Sequence, residues 1–180
     1  SHVMKRPFSV AIPLVILLLF LGIPFLNVKL GAPWASILPS DAASRQGMEL
    51  INQGMGPGET SPIIVVYKSS KELLTPDNIT AMYSLGQELA SHDAVDRVES
   101  IVTIDPSVSL EEYQFLYSDV AGITDRHIKQ VLDDMIGDQV TFMRVFSRYD
   151  IMADETQGLV REIRSSFDRG DMVKYVTGGT

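Results

Sequence analysis

The chain has 180 residues, 45% hydrophobic and 21% charged, with a net charge of −8 and no cysteine. The apolar content excludes a disordered chain, and the acidic balance argues against nucleic acid as a partner, because phosphate binding needs clustered cations. Without cysteine there is no disulfide, thiol nucleophile or cysteine-ligated metal.

The charge is unevenly spread. No charged residue lies between Pro7 and Val28, whereas the chain after Val28 carries 13 Lys+Arg against 23 Asp+Glu. Of the 21 residues in 8–28, fifteen are Leu, Ile, Phe or Val. As a helix this stretch would extend about 31 Å, the thickness of a bilayer's hydrocarbon core. Pro13, Gly22 and Pro24 are tolerated in membrane helices, where neighbouring helices satisfy the freed carbonyls. The pattern predicts a transmembrane helix over 8–28 behind a cytoplasmic flank, 1–7. A buried soluble helix of this length would carry charge. A signal peptide would be shorter, and Ala32-Pro-Trp-Ala35 lacks small residues at cleavage-site spacing. Lys5 and Arg6 precede the stretch and only Lys29 follows it. The positive-inside rule then puts residues 30–180 outside the cytoplasm, on the inner or plasma membrane of the cell. Lys5, Arg6 and Trp34 are the expected anchors at the bilayer surface.

Residues 29–61 read as a juxtamembrane loop and a helix. Ser40 is a capping residue for a helix over about 41–53, which Gly54-Met-Gly-Pro-Gly58 stops. That glycine spacing fits neither a dinucleotide fingerprint nor a P-loop. Pro62-Ile-Ile-Val-Val-Tyr-Lys68 is a β-branched, uncharged run, hence a buried strand. Thr75-Pro76 starts a helix to about residue 91, with Ile79, Met82, Leu85 and Leu89 near one face. Asn78-Ile-Thr80 matches a glycosylation acceptor, but its place in a helix start marks a chance match. Residues 95–104 read as a strand with a phase shift between Val98 and Ile101, the sign of a bulge.

Asp105-Pro106 ends that strand and opens a helical insertion, about 106–137, with short helices over about 110–117 and 124–136. A strand over 139–148, a helix over 155–167 capped by Asp154, and a strand over 171–177 follow. From residue 62 the order is βαββαβ. The expected fold is therefore α+β: one N-terminal transmembrane helix, then a ferredoxin-like sandwich over 62–180 with two helices on one face of a four-stranded antiparallel sheet.

Chemistry-bearing patterns are sparse. His2, His92 and His127 are far apart, and Asp125-Arg-His127 has no partner pair at metal-ligand spacing. The doublets Glu111-Glu112 and Asp133-Asp134 place neighbouring side chains about 100° apart on a helix, which suits solvation better than acid–base pairing. No nucleophile elbow or zinc-protease motif occurs. No catalytic, cofactor-binding or metal residue is assigned, and the chain is not read as an enzyme. The insertion is dense in large apolar residues on more than one helical face. Tyr113, Phe115 and Tyr117 are therefore candidates for contact with a hydrophobic substrate or a partner.

A series of short motifs resembles the second half of an MMPL-type transporter of the resistance-nodulation-division superfamily. These are Val3-Met-Lys-Arg-Pro7, Gly22-Ile-Pro24, Leu30-Gly31, Leu38-Pro39-Ser-Asp41, Ser44-Arg45, Gly56-Pro-Gly58, Pro62-Ile-Ile-Val-Val66 and Val176-Thr-Gly-Gly179. Their order covers almost the whole chain, although Met55 stands where the family has an aromatic residue. The resemblance implies a fragment holding the seventh transmembrane helix and the second extracytoplasmic porter domain. The whole would export lipids or other hydrophobic molecules with the proton gradient. Its partners would be the lipid bilayer, the remaining membrane helices, the first porter domain and the hydrophobic substrate. The relay carboxylates would lie in other spans, since 8–28 has no ionisable group. The alternative is a single-pass anchored binding or sensor domain.

Overall fold

The computed structural model describes residues 7–23, 37–165 and 172–177. They fall into two compact units, one holding the N-terminal helix and the other every remaining element.

Helix α1 runs Pro7–Gly22, 16 residues with Pro13 inside it. Its large apolar side chains from Ile12 to Ile23 are half-exposed or more. This corrects the expected transmembrane helix over 8–28. At about 24 Å, α1 falls short of the roughly 30 Å hydrocarbon core. No helix among the described residues is long and apolar enough to cross a membrane. Gly22, the last residue of α1, is a poor helix former with high conformational freedom, and residues 24–28 of the expected span lie outside the described residues. The anchors expected at Lys5, Arg6 and Trp34 lie outside the described residues.

The second unit begins with helix α2, Ala43–Met55. It then alternates β1 (Ile63–Ser69), α3 (Pro76–Ala90) and β2 (Val95–Glu99). The insertion follows as α4 (Leu110–Ser118), a 3-10 turn (Val120–Gly122) and α5 (Arg126–Met135). β3 (Val140–Ser147), α6 (Asp154–Ser165) and β4 (Met172–Val176) complete it. The strands form a four-stranded sheet in the order β2-β3-β1-β4, each pair antiparallel. The β1–α3–β2 and β3–α6–β4 units thus interlock, each leaving room for a strand of the other, in a split βαβ arrangement.

Period-two alternation divides the sheet into two faces. Ile63, Val65 and Tyr67 of β1 and Thr141, Met143, Val145 and Ser147 of β3 are buried on the inner face. Helix α3 adds Ile79, Met82 and Leu89 to the core, and α6 adds Leu159, Val160 and Ile163.

Local chemistry sets the boundaries. The Thr75 hydroxyl caps α3 by accepting from the Asn78 N–H, with Pro76 in the first turn. Asn78 itself is buried, and its side-chain amide donates to the carbonyls of Glu72 (3.2 Å) and Leu73 (3.1 Å). Ser109 and Glu112 form a reciprocal capping box at the start of α4. Strand β2 ends at Glu99 rather than continuing to 104. The Thr103 hydroxyl accepts from the Ser100 N–H at 2.8 Å and donates to the Val98 carbonyl at 3.0 Å, folding the chain into a turn. Ile101 and Val102 enter the core from that turn, both buried. The register shift lies earlier than expected, between Val95 and Arg97.

Candidate functional site

The outer face of the sheet, opposite α3 and α6, brings together the residues with the most chemistry. Cross-strand pairing arranges them in rows. Phe142, Val66 and Tyr175 form one row across β3, β1 and β4. Val140, Lys68 and Val173 form the next, and Tyr175 and Val173 are 55% and 48% exposed. Toward β2 the face becomes charged: Glu99 pairs with Arg144, and Arg97 with Phe146.

Arg97 is the hub of the charged half. Its Nη1 lies 2.8 Å from Glu59 Oε2 and its Nη2 donates to Glu59 Oε1 at 3.1 Å, a bidentate pair. Its Nε donates to Glu99 Oε1 at 2.9 Å, and its guanidinium carbon sits 3.7 Å from the centre of the Phe146 ring. Arg144 continues the chain, with Nη2 3.1 Å from Glu99 Oε2. Hydrogen bonding to Arg97 holds the Glu59 carboxyl below its ordinary value. The Glu59 carboxylate in turn raises the guanidinium, so Arg97 stays charged throughout the accessible pH range.

Glu59 reaches this site on a loop that only glycines permit. Gly56 has φ +105°, a backbone region closed to most side chains. A Cβ on Gly58 would stand 2.1 Å from the Ser147 carbonyl oxygen. The loop therefore presses backbone to backbone on the end of β3. Arg97 and Glu59, 38 residues apart in sequence, meet there.

The three contact candidates of the insertion divide. Tyr113 and Tyr117 are buried, at 2% and 3% exposure, whereas Phe115 is 82% exposed. The Tyr113 hydroxyl accepts from the Asp105 N–H and donates to the Asp105 carbonyl, both at 3.0 Å. The Tyr117 hydroxyl donates to the Ile101 carbonyl. Burial pushes both phenols above their ordinary value. The tyrosines pin the insertion to the domain, and Phe115 alone of the three is available to a partner. The apolar pattern of 139–148 points Val140, Phe142 and Val145 or Phe146 at the core, but the register puts Val140 and Phe142 on the outer face, and the unbroken β-branched run at 62–68 does not distinguish one face from the other.

No family profile matches the chain. It is 28% identical over 140 residues to a Bacillus subtilis (strain 168) protein named "Putative membrane protein YdgH", a match spanning 73% of this chain and 15% of that protein. The chain thus corresponds to less than a fifth of the length of this relative. Neither finding supports the resistance-nodulation-division or MMPL resemblance, which rests on the short motifs alone, and the expected transmembrane helix is not borne out, because α1 is too short for a membrane span.

Proposed function

We propose that this chain is part of a longer membrane transporter for lipids or other hydrophobic molecules. Its split βαβ domain stands on the extracytoplasmic side of the cell membrane and lines part of the substrate path. The observation that carries this reading is the outer sheet face. The row Phe142–Val66–Tyr175 offers apolar surface beside a clamped ionic half, suited to a hydrophobic body passing along a fixed wall. The membrane-protein relative, much longer than this chain, supports the setting.

The test is export of a hydrophobic fluorescent substrate from cells carrying the full-length protein. Val66→Lys and Tyr175→Lys reduce efflux at unchanged protein level if the face lines the path; efflux equal to the parent for both overturns the reading. The side of the membrane is tested separately. These 180 residues hold no cysteine, so Ser70→Cys, at an exposed site, gives a single labelling position in a full-length protein whose cysteines elsewhere have been replaced by serine. A membrane-impermeant maleimide labels it in intact cells if the domain is extracytoplasmic and only after lysis if it is not.

A further inference from the structure

Helix α2 carries its polarity the wrong way round for a surface helix. Arg45 and Glu49, its two charged residues, lie with Met48 and Asn52 on the side facing the turn at residues 150–152. Ala43, Gly47, Leu50, Ile51 and Gly54 form an uncharged stripe on the opposite side. Leu50 is 69% exposed, and Met55 beside the stripe is exposed too. Helices α3, α4, α5 and α6 each bury at least two side chains, whereas α2 buries none. A helix of 13 residues is marginal in water without tertiary packing, and Gly47 and Gly54 weaken it further. The domain does not require those two glycines. Neither has a positive φ, and a β-carbon on either would meet nothing within 4 Å.

We infer that this stripe seats a second helix, apolar and rich in large side chains, from the part of the same polypeptide outside these 180 residues. The inference rests on the reading that the chain is part of a longer membrane protein. The match covers 15% of the membrane-protein relative, so most of that protein lies outside it. Leu50 and Ile51 supply the apolar contact, and the bare glycines between them and the helix ends let a neighbouring backbone come close. The area decides against a free partner or a second copy. A face about 20 Å long and about 10 Å wide covers roughly 200 Å² per partner, whereas stable association between separate chains takes about 600 Å² or more per side. A helix on the same polypeptide needs far less, because tethering holds it at about millimolar effective concentration. Lipid fits less well: acyl chains gain nothing from bare glycines, and α2 lacks the Lys/Arg-rich polar face of interfacial helices.

The experiment is photo-crosslinking in the full-length protein in its membrane, with p-benzoylphenylalanine in place of Leu50. The expected product keeps the mass of one polypeptide, and mass spectrometry joins position 50 to an apolar peptide from outside these 180 residues. Gly47→Leu and Gly54→Leu, both favourable for an isolated helix, should each lower the melting temperature of the full-length protein and cut the crosslink yield at least about fivefold. A merely structural α2 would be stabilised by the same changes. A crosslink to a second copy, to another protein, to lipid or to a peptide within these 180 residues overturns the inference. So does the absence of a product, or a yield and melting temperature that neither leucine variant lowers. Export is not a readout here, so failure of the transport reading leaves these outcomes untouched.

Discussion

Gly58 lies so close to Ser147 that a β-carbon at position 58 would stand 2.1 Å from the Ser147 carbonyl oxygen and 2.7 Å from its nitrogen. Both obstacles are backbone, so no side-chain rotation relieves them. Gly58→Ala must lift the 56–59 loop off β3 or distort the strand. We expect a loss of at least about 2 kcal/mol, measured by urea denaturation. Lifting the loop also withdraws Glu59 from Arg97. A crystal structure of Gly58→Ala showing the 59–97 pair intact would refute the clamp.

The tyrosines give opposite expectations for the same substitution. Tyr113→Phe removes a hydroxyl that both accepts and donates at Asp105, and should cost about 1–2 kcal/mol. The Tyr67 hydroxyl is buried without a partner, and burial pushes its pKa up. Tyr67→Phe should therefore leave stability unchanged or raise it by up to about 1 kcal/mol. Denaturation midpoints of the two variants, compared at equal m-value, decide the matter.

Acid should weaken the loop clamp. Hydrogen bonding to Arg97 makes the Glu59 carboxyl more acidic in the fold than in the unfolded chain. Its contribution is complete above the ordinary carboxylate value of 4.5 and is lost as pH falls through the depressed folded value. Asp105 and Glu112 are held low in the same direction by hydrogen bonds to Ser107 and Ser109, so the whole domain loses stability on acidification. Glu59→Gln starts less stable at neutral pH and should lose less than the parent between neutrality and about pH 3. Equal losses in the two proteins would show that the pair contributes nothing to the acid response.

The exposed aromatics should separate stability from function. Phe115→Ser and Tyr175→Ser remove exposed side chains and should shift stability by no more than about 0.5 kcal/mol. If the outer face lines a substrate path, Tyr175→Ser lowers export in the efflux assay while its denaturation curve overlays the parent's.

Much of the domain's element order was legible because its signals are local. The β-branched run at 62–68 lies on β1, the Thr75-Pro76 pair opens α3, and Asp105-Pro106 opens the insertion. The misreadings arose where local signals compete. Apolar content over 8–28 suggested one long helix, but α1 ends at Gly22, a residue of poor helix propensity. The apolar residues at 101–102 suggested a longer strand, but Ser100 and Thr103 bond to nearby backbone and turn the chain instead. The Arg97 cluster was invisible for a different reason. Its members come from a loop and two strands, and only the sheet register brings Glu59, Glu99, Arg144 and Phe146 around one guanidinium.

The placement of Asn78 bears on how this protein can be produced. Its side-chain nitrogen, the atom to which an oligosaccharide would be joined, is buried and donates to two carbonyls before α3. A sugar on that nitrogen would have no room and would break at least one of the two bonds. Asn78-Ile-Thr80 is nonetheless a readable acceptor in an unfolded chain entering a eukaryotic secretory pathway. Modification there would have to precede folding and would trap the polypeptide outside its native state. Secreted material from such a host would divide into an unmodified folded fraction and a modified misfolded one, and Thr80→Ala would recover the second.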